Sequence, residues 1–303
     1  RVLFRSKAIP LIILDEIHKA KLWKRDLKGV FDTLTQAVDI IVTGSAKLNI
    51  YRKGGDSLLG RYHHFRLHPF SLAELIQPKP IAHTALIETL FSTVFSPNPS
   101  CAKFLEQLFM FGPFPEPLFS KNEKLLRIWQ RERLERLIRE DLRDISRIQE
   151  LSQIEMLVSL LPERAANPLS ITTLKEDLEV AYATMKSWIN YLKQIYYIYE
   201  IKPYARSIPR ALKKEGKLYL WDWSEIEAPG ARFENMIASH LFKYAHFLTD
   251  SGEANVELCY LKNKEKLEID FAYISSPKKL KEINDKEFKL NPIQHEDWII
   301  LEN

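Results

Sequence analysis

Two cysteines and nine glycines are all that these 303 residues contain of either type. Cys101 and Cys259 stand far apart, so neither a disulfide framework nor a C-x-x-C metal site can be built, and a reducing, cytoplasmic setting is expected. No apolar run approaches the roughly eighteen residues that would begin to read as a membrane span, and no basic, apolar and small-residue leader opens the chain. Membrane association is therefore not expected. An excess of charge is lacking too: 44 Lys and Arg against 40 Asp and Glu leave +4, too mild to imply nucleic acid by itself. His18, His63 and His64 have no partners at metal-ligand spacing and read as ordinary polar residues. Internal repeats and low-complexity segments are absent. With 46% hydrophobic residues the chain can bury two or three cores, and nothing in it suggests disorder.

The most informative stretch is Pro10-Leu11-Ile12-Ile13-Leu14-Asp15-Glu16-Ile17-His18-Lys19, an apolar strand ending in two adjacent carboxylates. It reads as a Walker B motif. In a P-loop ATPase the first carboxylate sits at the magnesium shell and the second orients and deprotonates the attacking water, which makes Asp15 and Glu16 the candidates. The plainer reading is a buried strand running into a surface turn. About twenty-five residues on, Val38-Asp39-Ile40-Ile41-Val42-Thr43-Gly44-Ser45-Ala46 forms a second apolar strand ending in small polar residues. Between the two, Leu22, Leu27, Val30, Phe31 and Leu34 recur at helical steps, so the segment predicts one βαβ unit and a parallel sheet.

What the motif pair needs and does not find is a phosphate-binding loop. G-x-x-x-x-G-K-[ST] lets backbone N–H groups cradle phosphates while Lys and Ser or Thr serve charge and magnesium. Gly55 to Gly60 has the glycine spacing, but it runs into Arg61-Tyr62 and follows the acidic strand instead of preceding it. The chain opens at Arg1, without an initiator Met, a few residues before the acidic strand. The expectation is a fragment or an N-terminally truncated reading frame that by itself binds ATP poorly or not at all.

The order of several blocks resembles the prokaryotic AAA+ ATPases in which a P-loop module is joined to a C-terminal domain of unknown function with a restriction-endonuclease-like core. The blocks are Leu14 to Lys19, Val42 to Ala46, Leu58-Leu59-Gly60-Arg61-Tyr62, Leu67-His68-Pro69-Phe70-Ser71-Leu72-Ala73-Glu74-Leu75 and Phe111-Gly112-Pro113-Phe114-Pro115-Glu116-Pro117. Arg139 to Ile145, Lys217-Leu218-Tyr219-Leu220-Trp221-Asp222 and Gly230-Ala231-Arg232-Phe233-Glu234-Asn235 complete the series. The resemblance implies ATP and Mg2+ as cofactors, Asp15 holding the magnesium shell, Glu16 as general base and Ser45 or Thr43 as the sensor 1 hydroxyl. Arg61 resembles a family arginine that senses the γ-phosphate from the same subunit or, in a homo-oligomer, from a neighbouring one; a surface salt-bridge arginine is the alternative.

Prolines suggest the boundaries: residues 1–76 as a partial ATPase core, 77–162 as a helical lid or linker, 163–210 as a winged helix and 211–303 as a small nuclease-like domain. From Arg127 to Arg147, seven arginines alternate with five acids along a helical pattern, and pairs such as Arg131 with Glu135 make a solvated face the expectation over a phosphate-binding stripe. Ser170 can cap a helix that turns Ile171, Leu174 and Leu178 inward, with a second helix carrying Met185, Trp188, Ile189 and Leu192. Tyr196 to Ile201 would be the wing strand. Lys186, Ser187, Asn190 and Lys193 are the outward positions that would face DNA, although such modules also serve purely for packing.

The last segment raises a second chemistry. In the PD-(D/E)xK nuclease fold a helix Glu, a strand Asp and a following Glu-x-Lys hold magnesium and polarise water. Glu234 and Asp270 match the first two positions; Glu282 sits where the third is expected but is followed by Asn284, and Glu287 with Lys289 has the letters in a polar run. An incomplete charge set leaves metal or water misplaced, so a degenerate fold used for structure or binding is expected over an active nuclease. The whole reads as an α/β protein: a partial parallel-sheet P-loop ATPase core, a helical region, a winged helix and a small α/β nuclease-like domain. Its expected function is nucleotide binding and hydrolysis in the intact form, coupled to a half that engages DNA or a partner protein. The alternatives are a non-catalytic binding protein with a decayed ATPase core, or a Mg2+-dependent nuclease.

Overall fold

The computed structural model describes residues 10–17, 20, 22–34, 37–44, 62–76, 99–138, 148–204, 215–262 and 268–274, with 99–100 and 148–151 described for the backbone only. Strands β1 (Leu11–Leu14) and β2 (Asp39–Val42) pair in parallel with Leu14 opposite Val42, and helix α1 (Trp23–Thr33) lies between them in sequence. A parallel pair needs such a crossover, and the β-branched run of Ile12, Ile13, Ile40, Ile41 and Val42 suits a pleated surface. Backbone bonds from Asp39 N to Pro10 O (3.0 Å) and from Thr43 N to Leu14 O (2.9 Å) extend the ladder at both ends. Leu11, Ile12 and Ile13 stay exposed, as do Val30 and Phe31 of α1.

Residues 62–71, without regular secondary structure, lead into the short helix α2 (Leu72–Ile76). Helices α3 (Pro99–Phe111), α4 (Pro115–Ser120), α5 (Glu123–Arg136) and α6 (Ile148–Leu160) follow. Gly112 ends α3 at φ +75°, where a left-handed residue closes a helix at no steric cost to glycine. A Cβ there would meet Asp222 Oδ1 at 2.5 Å, so the loop between α3 and α4 can approach Asp222 only because it has no side chain at that point. Pro115 occupies the first turn of α4, where no N–H is needed. Asn122 caps α5 by accepting from Lys124 N (2.9 Å) and Leu125 N (3.2 Å).

Helix α7 (Ile171–Asp177) starts at Ser170, whose hydroxyl accepts from Thr173 N at 3.4 Å, and α8 (Tyr182–Gln194) follows the turn at Glu179. Leu174, Leu178, Met185, Trp188, Ile189 and Leu192 are all buried, the inward face that their spacing predicts. Next come β3 (Ile198–Pro203), β4 (Lys217–Leu220), the long helix α9 (Pro229–Asp250), β5 (Glu257–Lys262) and β6 (Glu268–Ile274). The four strands form one sheet in the order β4-β3-β5-β6. The strand expected as a wing, β3, pairs antiparallel with β4, Ile198 opposite Leu220, and in parallel with β5, Lys202 opposite Cys259.

β4 alternates between two cores. Leu218 and Leu220 join a cluster running from Leu108 and Leu118 through Leu157, Leu174 and Trp188 to Trp223 and Met236, which crosses the positions 162 and 210. Tyr219 and Trp221 face the second cluster, with Tyr199, Ala238, Ala245 and Leu258. The outer edge of β4 is sealed. Ala166 N donates to Leu218 O (2.8 Å), Leu218 N to Asn167 O (2.9 Å) and Leu169 N to Gly216 O (2.9 Å). Beyond them, the fully buried Asn235 side chain brackets Leu220, accepting from its N (2.7 Å) and donating to its O (2.8 Å). Among the described residues no helix is long and apolar enough to cross a membrane.

Candidate functional site

The parallel pair places Asp15 and Thr43 at the C-terminal ends of β1 and β2, the end of an open α/β sheet at which ligands bind. Thr43 Oγ1 donates to Asp15 Oδ1 across the two strand ends, fixing one carboxylate oxygen. The sequence separation of 28 residues is bridged by α1, so the contact is a direct product of the βαβ crossover. Glu16, next along, adopts φ +52°, an uncommon conformation for a non-glycine residue and one that concentrates at functional turns. A carboxylate with a hydroxyl beside it is a hard-oxygen donor set, which suits Mg2+ held through one carboxylate, water and phosphate. Ser45 and Arg61, the other two candidates of this half, lie outside the described residues.

A second convergence lies between β4, β6 and α9. Lys217, at the start of β4 and 5% exposed at its side chain, reaches Glu268 Oε1 and Asp270 Oδ1, both at 2.6 Å, and Glu234 Oε1 at 3.2 Å. Glu268 and Asp270 alternate on β6 and so share a face; Glu234 comes from the first turns of α9. Tyr219, two residues beyond Lys217 and therefore on the same face of β4, donates its hydroxyl to Glu234 Oε1 at 2.8 Å. On the outer side Lys262 holds Glu268 Oε2 at 2.7 Å. Burial works against the Lys217 charge, but the hydrogen bonds to Asp270 and Glu268 and the charge of Glu234 outweigh it and raise its pKa above the ordinary lysine value. Burial, reinforced by the Glu234 charge, raises the Tyr219 phenol. Lys217 is thus a held ammonium and Tyr219 a neutral donor at any physiological pH.

Glu234 and Asp270, paired from sequence, are brought together here, whereas Glu282, Glu287 and Lys289 lie outside the described residues. Sequence reasoning missed Lys217 and Glu268. A lysine opening an otherwise apolar strand, and a Glu two residues before Asp270 on one strand face, were the available signals. Among the described residues no group of three or more His, Cys, Asp or Glu side chains is placed to hold a metal ion. The carboxylates of this cluster point at the Lys217 ammonium.

A third cluster ties the helices to the segment after β4. Asp222 Oδ1 accepts from Ser224 N (3.1 Å) and Ser224 Oγ (2.6 Å), and Gln130 Nε2 donates to Ser224 Oγ (2.9 Å). Arg133 Nη1 lies 3.0 Å from Glu225 Oε1, with its guanidinium 4.6 Å from the centre of the Phe114 ring. The Tyr197 hydroxyl donates to Glu225 Oε2. Burial and the neighbouring Asp222 charge push Glu225 up to about 7, against the pull of Arg133. These groups link the Phe111 to Pro117 block to the Lys217 to Asp222 block.

On α8, Lys186 and Asn190 are exposed and Ser187 is half-buried. Lys193 forms an ion pair with Glu200 of β3 at 2.7 Å, so one of the lysines expected to face DNA already has its charge met within the fold.

Comparison with known families matches residues 2–76 to the AAA domain and residues 102–226 to a domain of unknown function, DUF8612. Residues 2–76 are accordingly an AAA-type ATPase-like region. The chain is also 22% identical over 280 residues to the uncharacterized protein MJ1544 of Methanocaldococcus jannaschii, an alignment covering 89% of this chain. It spans 59% of that relative's length. No solved structure matches.

Proposed function

We propose that the chain serves an AAA-type ATPase, in which the nucleotide state at the ends of β1 and β2 is coupled to the half formed by residues 99–274. The observation that carries this reading is the Asp15–Thr43 contact at the C-terminal ends of two parallel strands, with Glu16 beside it. Asp15 would hold the magnesium shell, Glu16 would take the proton of the attacking water, and Ser45 or Thr43 would sense the γ-phosphate. Arg61 would stabilise transferred charge within its own or a neighbouring subunit. Bound Mg2+ supplies charge neutralisation at the phosphates. These 303 residues carry no phosphate-binding loop, so hydrolysis in this reading draws that element from outside them.

The Lys217 cluster supports a binding or structural role for the C-terminal half over metal-dependent cleavage. Its three carboxylates converge on one buried ammonium, which with Lys262 on Glu268 meets most of their charge without a divalent ion. The client would be a partner protein or DNA, the latter through Lys186, Ser187 and Asn190.

The test is Mg2+-dependent ATP hydrolysis by the protein extended upstream in its reading frame, with Glu16→Gln beside it. Loss of a positioned general base is expected to lower turnover by roughly 10²- to 10⁴-fold. No turnover in the unsubstituted protein, with no phosphate-binding loop in the added sequence, would overturn the ATPase reading and leave a binding protein built on a nucleotide fold.

A further inference from the structure

We infer that residues 66–74 form a strap that transmits movement of the nucleotide half to α9 and, through α9, to the Lys217 cluster. This rests on the ATPase reading only for the force that would move it. The strap runs antiparallel to α9 and meets it in register. Leu72 N donates to His240 Nε2 (2.9 Å), Lys243 Nζ to Pro69 O (2.9 Å) and to Glu74, and His68 Nε2 lies 2.8 Å from His246 Nδ1. Arg66 then closes on Asp250 with its backbone N (3.1 Å), Nε (2.9 Å) and Nη2 (2.6 Å). Residues 240, 243, 246 and 250 are three, three and four apart, one face of a helix.

The two ends of the strap are held differently. Phe70, Leu72 and Leu75 pack on the main core, and Phe70 N donates to Pro113 O at 2.9 Å. Toward the nucleotide half the attachment is polar: Leu67 is fully exposed and Phe65 half-exposed, and the fork on Asp250 and the histidine pair do the holding. Exchanging these bonds for water would lift His68 off Trp221 of the second cluster but leave closed the main core on which residues 70, 72 and 75 pack. The strap is therefore anchored at residues 70–76 and releasable at 66–69.

α9 carries both attachments. Its first turns present Glu234 to Lys217 and Asn235 to Leu220, and its last turns hold the strap. Sixteen residues of helix separate Glu234 from Asp250, about 24 Å at the α-helical rise, with no proline between them. A second path is shorter: the His68 ring centre lies 5.0 Å from that of Trp221, the residue directly after β4. Pulling the strap off α9 would thus be felt by the helix that supplies Glu234 and by the strand that supplies Lys217.

The experiment is hydrogen exchange, read by mass spectrometry, on the full chain and its Arg66→Ala variant without nucleotide. Expected is at least a tenfold rise in exchange at residues 66–69 and 246–250, with a several-fold rise at residues 217–221 and 268–274. Residues 171–194 should keep their wild-type rates, which reports an intact core. Faster exchange in the strap with residues 217–221 and 268–274 within twofold of wild type would overturn transmission, and an unchanged strap would overturn the attachment itself. Should Arg66→Ala fail to fold, Arg66→Lys, which keeps the charge but loses the fork, is read by the same criteria. No nucleotide enters the measurement, so its failure and that of the ATPase assay are separate results.

Discussion

Replacing Lys217 by Met removes one ammonium from among Glu234, Glu268 and Asp270 while keeping most of the unbranched stem that fills the space. The effect therefore reports on charge instead of a cavity. Losing one partner of a buried ion pair costs about 3–5 kcal/mol, because the other is left uncompensated. Asp270 is half exposed and water screens its share, so about 3 kcal/mol is expected at neutral pH, a fall in Tm of roughly 4–6 °C for a chain of this size. The sign with pH discriminates. In the wild type, burial raises the Glu268 pKa but the hydrogen bonds to Lys217 and Lys262 more than offset it, so Glu268 ionises more readily than in the unfolded chain. That contribution is present above the unfolded value and lost as pH falls. In Lys217→Met the crowded carboxylates hold protons more tightly than in the unfolded chain, so that variant gains stability as pH falls. Urea unfolding followed by tryptophan fluorescence at pH 7.5 and 4.5 measures both, and the gap between the proteins should shrink by half or more at the lower pH. A variant within about 0.5 kcal/mol of wild type at pH 7.5, or a gap of equal size at both values, would refute the electrostatic reasoning.

Gly112→Ala should cost about 2–4 kcal/mol, since it combines a left-handed residue at φ +75° with a Cβ 2.5 Å from the buried Asp222 carboxylate. Gly252→Ala, with the same φ but nothing within 4 Å, should cost only about 1 kcal/mol; equal Tm losses in the two variants would contradict the close approach. His68 and His246 are held down at about 4 and about 3, first by burial and then by the charges of Lys243 and Arg66 for His68 and of Arg66 for His246, with Asp250 acting the other way on both and Glu74 on His68. Both values lie below the ordinary 6.5, so the unfolded chain binds more protons under that pH and stability falls as the solution is acidified from 6.5 toward 4. His68→Phe should lose about 1–2 kcal/mol less than wild type between pH 6.5 and 5, and parallel ΔG–pH curves for the two proteins would rule the pair out as the source.

The parts legible from sequence were those with a local cause. Ile12 and Ile13 against Ile40 and Ile41, with helical spacing between, gave the parallel βαβ unit, and Ser170 with the inward row at Met185, Trp188, Ile189 and Leu192 gave α7 and α8. Asp15 and Ser45 or Thr43 were named from the family resemblance, and the contact between Asp15 and Thr43 is what the parallel pairing then brings about. What stayed hidden depends on tertiary contact. Lys217 precedes its three partners by 17, 51 and 53 residues, on a strand whose place in the sheet is set by pairing with β3. Likewise nothing near Arg66 or His68 in sequence announces Asp250 or His246. The β3 strand shows the same limit from the other side: its apolar alternation was readable, but whether it ends a small wing or sits inside a larger sheet is decided by strands that come later.

The sealed margin of β4 has a consequence for how the molecule meets others. A bare strand edge is a template for pairing with a foreign chain. Here the backbone groups of Gly216, Leu218 and Leu220 on that side are already taken by residues 166–169 and by the Asn235 amide. A client peptide or a second molecule cannot recruit the sheet by adding a strand beside β4. Recognition on that flank has to be read from side chains, which confers selectivity and guards the flank against indiscriminate aggregation.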